Sequence, residues 1–222
     1  EIAAQMAAGK NVEGLEESDY NDRNLLAARL TGMAKAPQIM ALGSSRVYTF
    51  ERTMFDTDSF YNAGLSEATI YDLLAVAGIL VSEGKLPETA VIGVDAFLFN
   101  KSHDNEKWKE LESYANYMML TLDGKLSPDQ ANPDKDTGRE FSKALSFDYF
   151  RYNVTLLPER KRFAVSYTDE WETEGYLKHS DGSVSYQREL REVSPADVEE
   201  MTRQAMEEHV VYRMTDYEEI DG

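Results

Sequence analysis

No cysteine occurs in this chain, which excludes a disulfide framework and thiol chemistry and leaves any zinc site to His and carboxylates. Histidine is nearly as scarce. His103, His179 and His209 lie far apart in sequence, so no metal site is expected, and no cofactor is implied. No apolar run approaches the about 18 residues that span a bilayer, so no segment is expected to insert into a membrane. Basic residues are in deficit, 23 Lys and Arg against 41 Asp and Glu. The resulting net charge of −18 argues against a nucleic-acid partner and against an anionic membrane face. The chain starts at Glu1 instead of Met, which creates the expectation of a removed upstream segment, a signal peptide or anchor, and so of an extracytoplasmic location.

What remains is a globular composition: 222 residues, 42% hydrophobic, with nine Phe, two Trp and 13 Tyr. Residues 1–36 read as two helices, "EIAAQMAAG" ending at Gly9 and "NDRNLLAARLTGMAK" with Leu25, Leu26, Arg29, Leu30 and Met33 along one face. Residues 37–124 read as an α/β core. "QIMALG" is a short apolar strand of the kind buried on both faces, "SFYNAG" is a second strand, and "TAVIGVDAFLFN" holds a third that ends near Asp95. Ser66 is placed to cap "EATIYDLLAVAGILVSEG", and "EKWKELESYANYMMLTL" forms a further helix with Trp108, Leu111, Tyr114 or Ala115, and Met118 on one face. This rhythm predicts right-handed crossovers and a doubly wound parallel sheet.

Residues 125–192 read as an inserted α+β segment or lid. It holds a polar loop, a short helix capped by Ser146, two half-solvated strands "KRFAVSYT" and "GSVSYQREL", and a turn at Asp181-Gly182. Residues 193–222 start a helix with Ser194 at the cap and Pro195 at the first position.

Ligands of open α/β sheets bind beyond the carboxyl ends of the strands. There the three strands deliver Gly43-Ser44-Ser45-Arg46, then Asn62-Ala63-Gly64, then Asp95 and Asn100. A serine on a tight turn after a glycine, beside backbone and amide donors, is what nucleophilic acyl transfer requires. Gly-Ser turns after strands are also common as plain structure, and Asn62 at a strand end commonly caps a turn.

Taken together, "GSSR", "NAG" and "VIGVDAFLFN" resemble the first three blocks of the SGNH (GDSL-type) hydrolase superfamily, and more narrowly a bacterial group carrying a "GSSR" block. The resemblance covers residues 20 to 110, and "SDGSVSY" more loosely. It implies a three-layer α/β/α flavodoxin-like fold and a serine esterase or O-acyltransferase-like activity on cell-envelope or carbohydrate esters. It places Ser45 at the nucleophile, with the Ser45 and Glu67 backbone N–H groups and Asn62 at the oxyanion, and Gly64, Arg46, Asp95 and Asn100 around the substrate.

Four departures stand beside it. Glu67 occupies a position where the family has glycine, and Asp95 one where it has the oxyanion asparagine, although a carboxylate repels an oxyanion. No histidine has Asp three residues before it, so the family's Asp-x-x-His base is missing, and three parallel strands are legible where such a sheet needs about five. Asp95 is expected to pair with Arg46 across neighbouring strand ends. A non-catalytic carbohydrate- or partner-binding module on the same fold is the alternative. For the remaining polar and aromatic residues, His103 reads as a loop histidine, His209 as a surface group, and Tyr149 and Tyr152 as packing residues that could also stack on a sugar.

Overall fold

The structure, a computed structural model, describes residues 1–15, 20–99, 106–125 and 165–207. It is mixed α/β, with one parallel and one antiparallel sheet among the described residues.

Helix α1 (Ile2–Ala7) and strand β1 (Asn11–Glu13) precede α2 (Asp22–Thr31), whose N-cap Asn21 accepts from the Asn24 amide. The parallel sheet has the order β3-β2-β4, built from β2 (Ile39–Leu42), β3 (Phe60–Asn62) and β4 (Thr89–Ile92). Met40 pairs with Tyr61 on one side and Ala90 on the other. Between β3 and β4 runs α3 (Ile70–Ser82), followed later by α4 (Glu112–Leu122), which packs on it. Leu26 and Leu30 of α2, Met40 and Leu42 of β2, Val76 and Ile79 of α3, and Tyr114 and Ala115 of α4 form one apolar core. This packing is the main force holding the parallel sheet to its helices. β4 forms a sheet edge and leaves Ile92 exposed, with Val94 and Phe99 exposed just beyond it.

The cap of α3 is Thr69, not Ser66. Asp72 lies three residues after Thr69, so each side chain bonds the other's backbone N–H in a capping box, and the helix starts at Ile70. Ser66 instead donates to Asp22 Oδ2 through both its amide and its hydroxyl, each at 2.8 Å.

The second sheet differs from a self-contained insertion. Its order is β5-β1-β6-β7, with β5 (Ser166–Thr168), β6 (Leu177–Lys178) and β7 (Val184–Ser185) gathered around the N-terminal β1. Residues 11–13, expected to link two helices, therefore form its second strand. Val12 is fully buried beside Met6 and Leu15, and that burial stabilises the pairing of chain ends far apart in sequence. After β7 the expected strand stops: Arg188–Arg191 is a helical turn, α5, and α6 spans Pro195–Glu207. The residues around Ser146, Tyr149 and Tyr152 lie outside those described, as do Asn100, His103 and His209.

Candidate functional site at the strand ends

Beyond β2 the chain enters a 3-10 turn, Ser45–Val47. Three glycines make it possible. Val47 is buried against Gly43, Gly64 and Gly93, one from the end of each parallel strand. A Cβ on Gly93 would stand 2.5 Å from Val47 Cγ1, one on Gly64 2.9 Å from Val47 Cγ2, and one on Gly43 3.0 Å from Cγ1. Gly43 also has φ +149, which side-chain-bearing residues rarely adopt. The glycines that the sequence shows as three separate motifs thus form one seat for a single valine.

Ser44 caps this turn, its hydroxyl accepting from the Arg46 amide at 3.3 Å. The same hydroxyl donates to Asp95 Oδ2 at 2.5 Å, and both residues are buried. Asp95 Oδ1 lies 3.0 Å from Arg46 Nε, so the expected ion pair between strand ends is present. The carboxylate is therefore held by a hydroxyl on one side and a guanidinium on the other. The serine engaged with Asp95 is Ser44, a residue the sequence does not single out among the two. Ser45, next to it, is half-buried, and its hydroxyl makes no hydrogen bond to a described residue.

Asn62 is placed otherwise than an oxyanion amide would be. Its Nδ2 donates to the carbonyls of Val47 at 2.6 Å and Phe50 at 2.9 Å, with Tyr48 O at 3.3 Å, while Oδ1 accepts from the Gly64 amide. Both amide hydrogens are thereby used, and among these carbonyls those of Val47 and Tyr48 also accept from the backbone amides of Phe50 and Val184. Asn62 clamps the loop that carries Ser45.

Glu67 adopts φ +48, the left-handed region that favours glycine, at the position where the resembling family has glycine. Its carboxylate is exposed and pairs with Lys107 at 2.7 Å. Lys107 also lines an open cleft of about 230 Å³ together with Tyr20, Asp22, Arg23, Ser66 and Glu110. Arg23 is buried there and bonds Asp72, Asp22 and the Ser66 carbonyl. Burial alone would lower the Arg23 pKa, but Asp72 and Asp22 outweigh it and the net direction is upward. Burial pushes Asp22 up, yet the Arg23 charge and the Ser66 hydrogen bonds leave it below the usual carboxylate range.

The β6–β7 turn closes the site's far side. The Asn62 amide donates to the Asp181 carbonyl at 2.7 Å, and the Val184 amide to the Tyr48 carbonyl at 2.8 Å. Arg29 bonds the Ser180 carbonyl and lies over the Tyr61 ring, whose hydroxyl burial pushes up to about 12 against the opposing charge of Arg29. His179 is buried, stacked on Trp171 at 4.5 Å, with Nε2 2.8 Å from the Ser185 hydroxyl. Burial lowers its pKa, with Asp181 opposing. Its hydrogen bond is to Ser185, so it is not the base of Ser45.

No protein-family model matches the chain, and neither a curated protein nor a solved structure does. Among the described residues no group of three His or carboxylate side chains could hold a metal ion, and no helix is long and apolar enough to cross a membrane.

Proposed function

We propose that the strand ends form the nucleophile half of an SGNH-like site, an ester hydrolase or O-acyltransferase-like centre for carbohydrate or cell-envelope esters on a flavodoxin-like α/β/α core. The observation that carries this reading is Ser45 itself. It is half-exposed, and its hydroxyl makes no hydrogen bond to a described residue, on a turn whose backbone is held by the Val47 seat and the Asn62 clamp. A rigid turn presenting an uncommitted hydroxyl is what nucleophilic attack needs. Two further features support it. The charge of Asp95, unfavourable beside an oxyanion, is offset by Arg46, and residue 67 adopts a left-handed backbone at a position where the family often has glycine. In this reading the Ser45 and Glu67 N–H groups hold the oxyanion, and the clamp of Asn62 excludes its amide from that role. The base comes from outside the described residues.

The second reading, a non-catalytic binding module on the same fold, is favoured by the commitment of Asn62 to the loop and of His179 to Ser185. Incubation with a fluorophosphonate probe, read by intact mass and peptide mapping, separates the two. The hydrolase reading expects one adduct on Ser45 that Ser45→Ala abolishes. Folded protein that takes no label, or takes it elsewhere, overturns it in favour of the module.

A further inference from the structure

The Arg46–Asp95 pair leaves half of a guanidinium unused. Asp95 Oδ1 faces Nε at 3.0 Å, and Ser44 occupies the other carboxylate oxygen at 2.5 Å. Asp95 is only 6% exposed, whereas the Arg46 side chain is 75% exposed, and its Nη1 and Nη2 donate no hydrogen bond to a described residue. Asp95 is neutralised by the charge of Arg46, while its one side-chain hydrogen bond from a described residue comes from Ser44. This leaves the outer edge of the guanidinium open to solvent.

That edge has a specific chemistry. Two parallel N–H groups in a planar fork match the paired oxygens of a carboxylate or a phosphate, and Lys cannot reproduce the arrangement. Tethering at Nε also restrains a side chain that otherwise loses rotamer freedom on binding, so part of the ordering cost is met before a ligand arrives. The chain as a whole repels anions at −18, so anion recognition here has to be local. Arg46 also adjoins Ser45 in the same 3-10 turn, so one short segment carries both the fork and that hydroxyl.

We propose that Arg46 determines the substrate class of this site: its Nη1/Nη2 edge takes an oxyanion group, carboxylate or phosphate, carried by the ligand near its reacting ester, and Asp95 is the positioning residue that aims the fork. The proposal rests on the strand-end reading above, because it assumes that a ligand sits at Ser45.

The test uses the whole chain with Ser45→Ala, labelled with 15N, and follows the Arg46 side-chain Nε–H resonance, assigned by its loss in Arg46→Lys. Acetate, inorganic phosphate and glucose are titrated separately. The expected result is a saturable shift with acetate or with phosphate and none with glucose. The stronger of the two anions identifies the group. Backbone amides of residues 43–47 report binding in the variants, where Arg46→Lys and Arg46→Gln weaken it at least tenfold and Asp95→Asn weakens it while sparing the charge of Arg46. Arg46→Gln leaves the buried Asp95 carboxylate without its cation whereas Arg46→Lys keeps the charge, so the urea midpoint of each variant is read beside its binding and only folded protein is titrated. No saturable shift with either anion, or equal affinity in Arg46→Gln, overturns the proposal. Because binding is read without the serine, a failure of Ser45 to label in the wild type leaves this result standing. Labelling without anion binding overturns the proposal and leaves the hydrolase reading intact.

Discussion

Gly182 lies against Asn62 so closely that a Cβ at position 182 would stand 2.1 Å from the Asn62 carbonyl oxygen. Gly182 also has φ +86, so backbone conformation and space both require glycine. The contact joins the two sheets at one point, because the Asn62 amide donates to the Asp181 carbonyl in the same turn. Gly182→Ala is expected to lower stability by about 2 kcal/mol or more, read as a shift in the urea midpoint. A variant as stable as wild type would mean that the β6–β7 turn does not dock on β3.

The Val47 seat predicts a coupled pair. Val47 is a short, branched, buried side chain that cannot swing away from a new methyl group. Gly93→Ala should cost about 1–3 kcal/mol by overpacking. Val47→Ala in the same chain removes the clash, so the double variant should lose less than the two single losses together, with a coupling of about 1 kcal/mol. Additive losses in denaturant melts would show that the two residues do not touch.

Glu67→Gly should stabilise the protein. A left-handed backbone costs a side-chain-bearing residue about 1–2 kcal/mol. Glycine gives back about 0.5–1 kcal/mol through a freer unfolded chain, and the exposed pair with Lys107 adds little. The net expectation is a gain of about 0.5–1 kcal/mol in urea unfolding. A loss would mean that the Glu67 side chain contributes more than its backbone strain costs.

His179 makes stability depend on pH in a stated direction. Burial favours its neutral form, so the folded pKa lies below the ordinary 6.5. Above 6.5 both folded and unfolded chains hold it neutral, and the contribution is fully present. As pH falls from 6.5 towards the folded value, the unfolded state takes up the proton first and stability is lost. Urea midpoints at pH 7.5 and 5.5 should differ more in wild type than in His179→Gln. Equal differences would place His179 in solvent.

The short range of the signals explains what could be read from residues alone. The three apolar strands of the parallel sheet, the helices α2, α3 and α4, and the Asp95–Arg46 pair all follow from periodicity or from the polar ends of apolar runs. These depend on a few neighbouring residues. Even so, the cap of α3 was legible in principle: Thr69 with Asp72 three residues on is a stronger signal than Ser66.

Hydrogen-bond partners across the chain were decided only by the tertiary structure. Asn62 reads equally well as an oxyanion donor or a loop clamp, and only the approach of the Val47 and Phe50 carbonyls selects the second. Ser44 and Ser45 are alike in sequence, and the position of β4 beside β2 gives Asp95 to Ser44. β1 has no strand pattern of its own length, and becomes one because β5 and β6, more than 150 residues away, bring it partners. The amino-acid sequence by itself determined which segments are apolar, where glycine allows close approach, and which polar groups stand at the strand ends. The tertiary structure determined which of those groups bond one another, because a buried donor or acceptor must be paired and its partner is set by packing between distant segments.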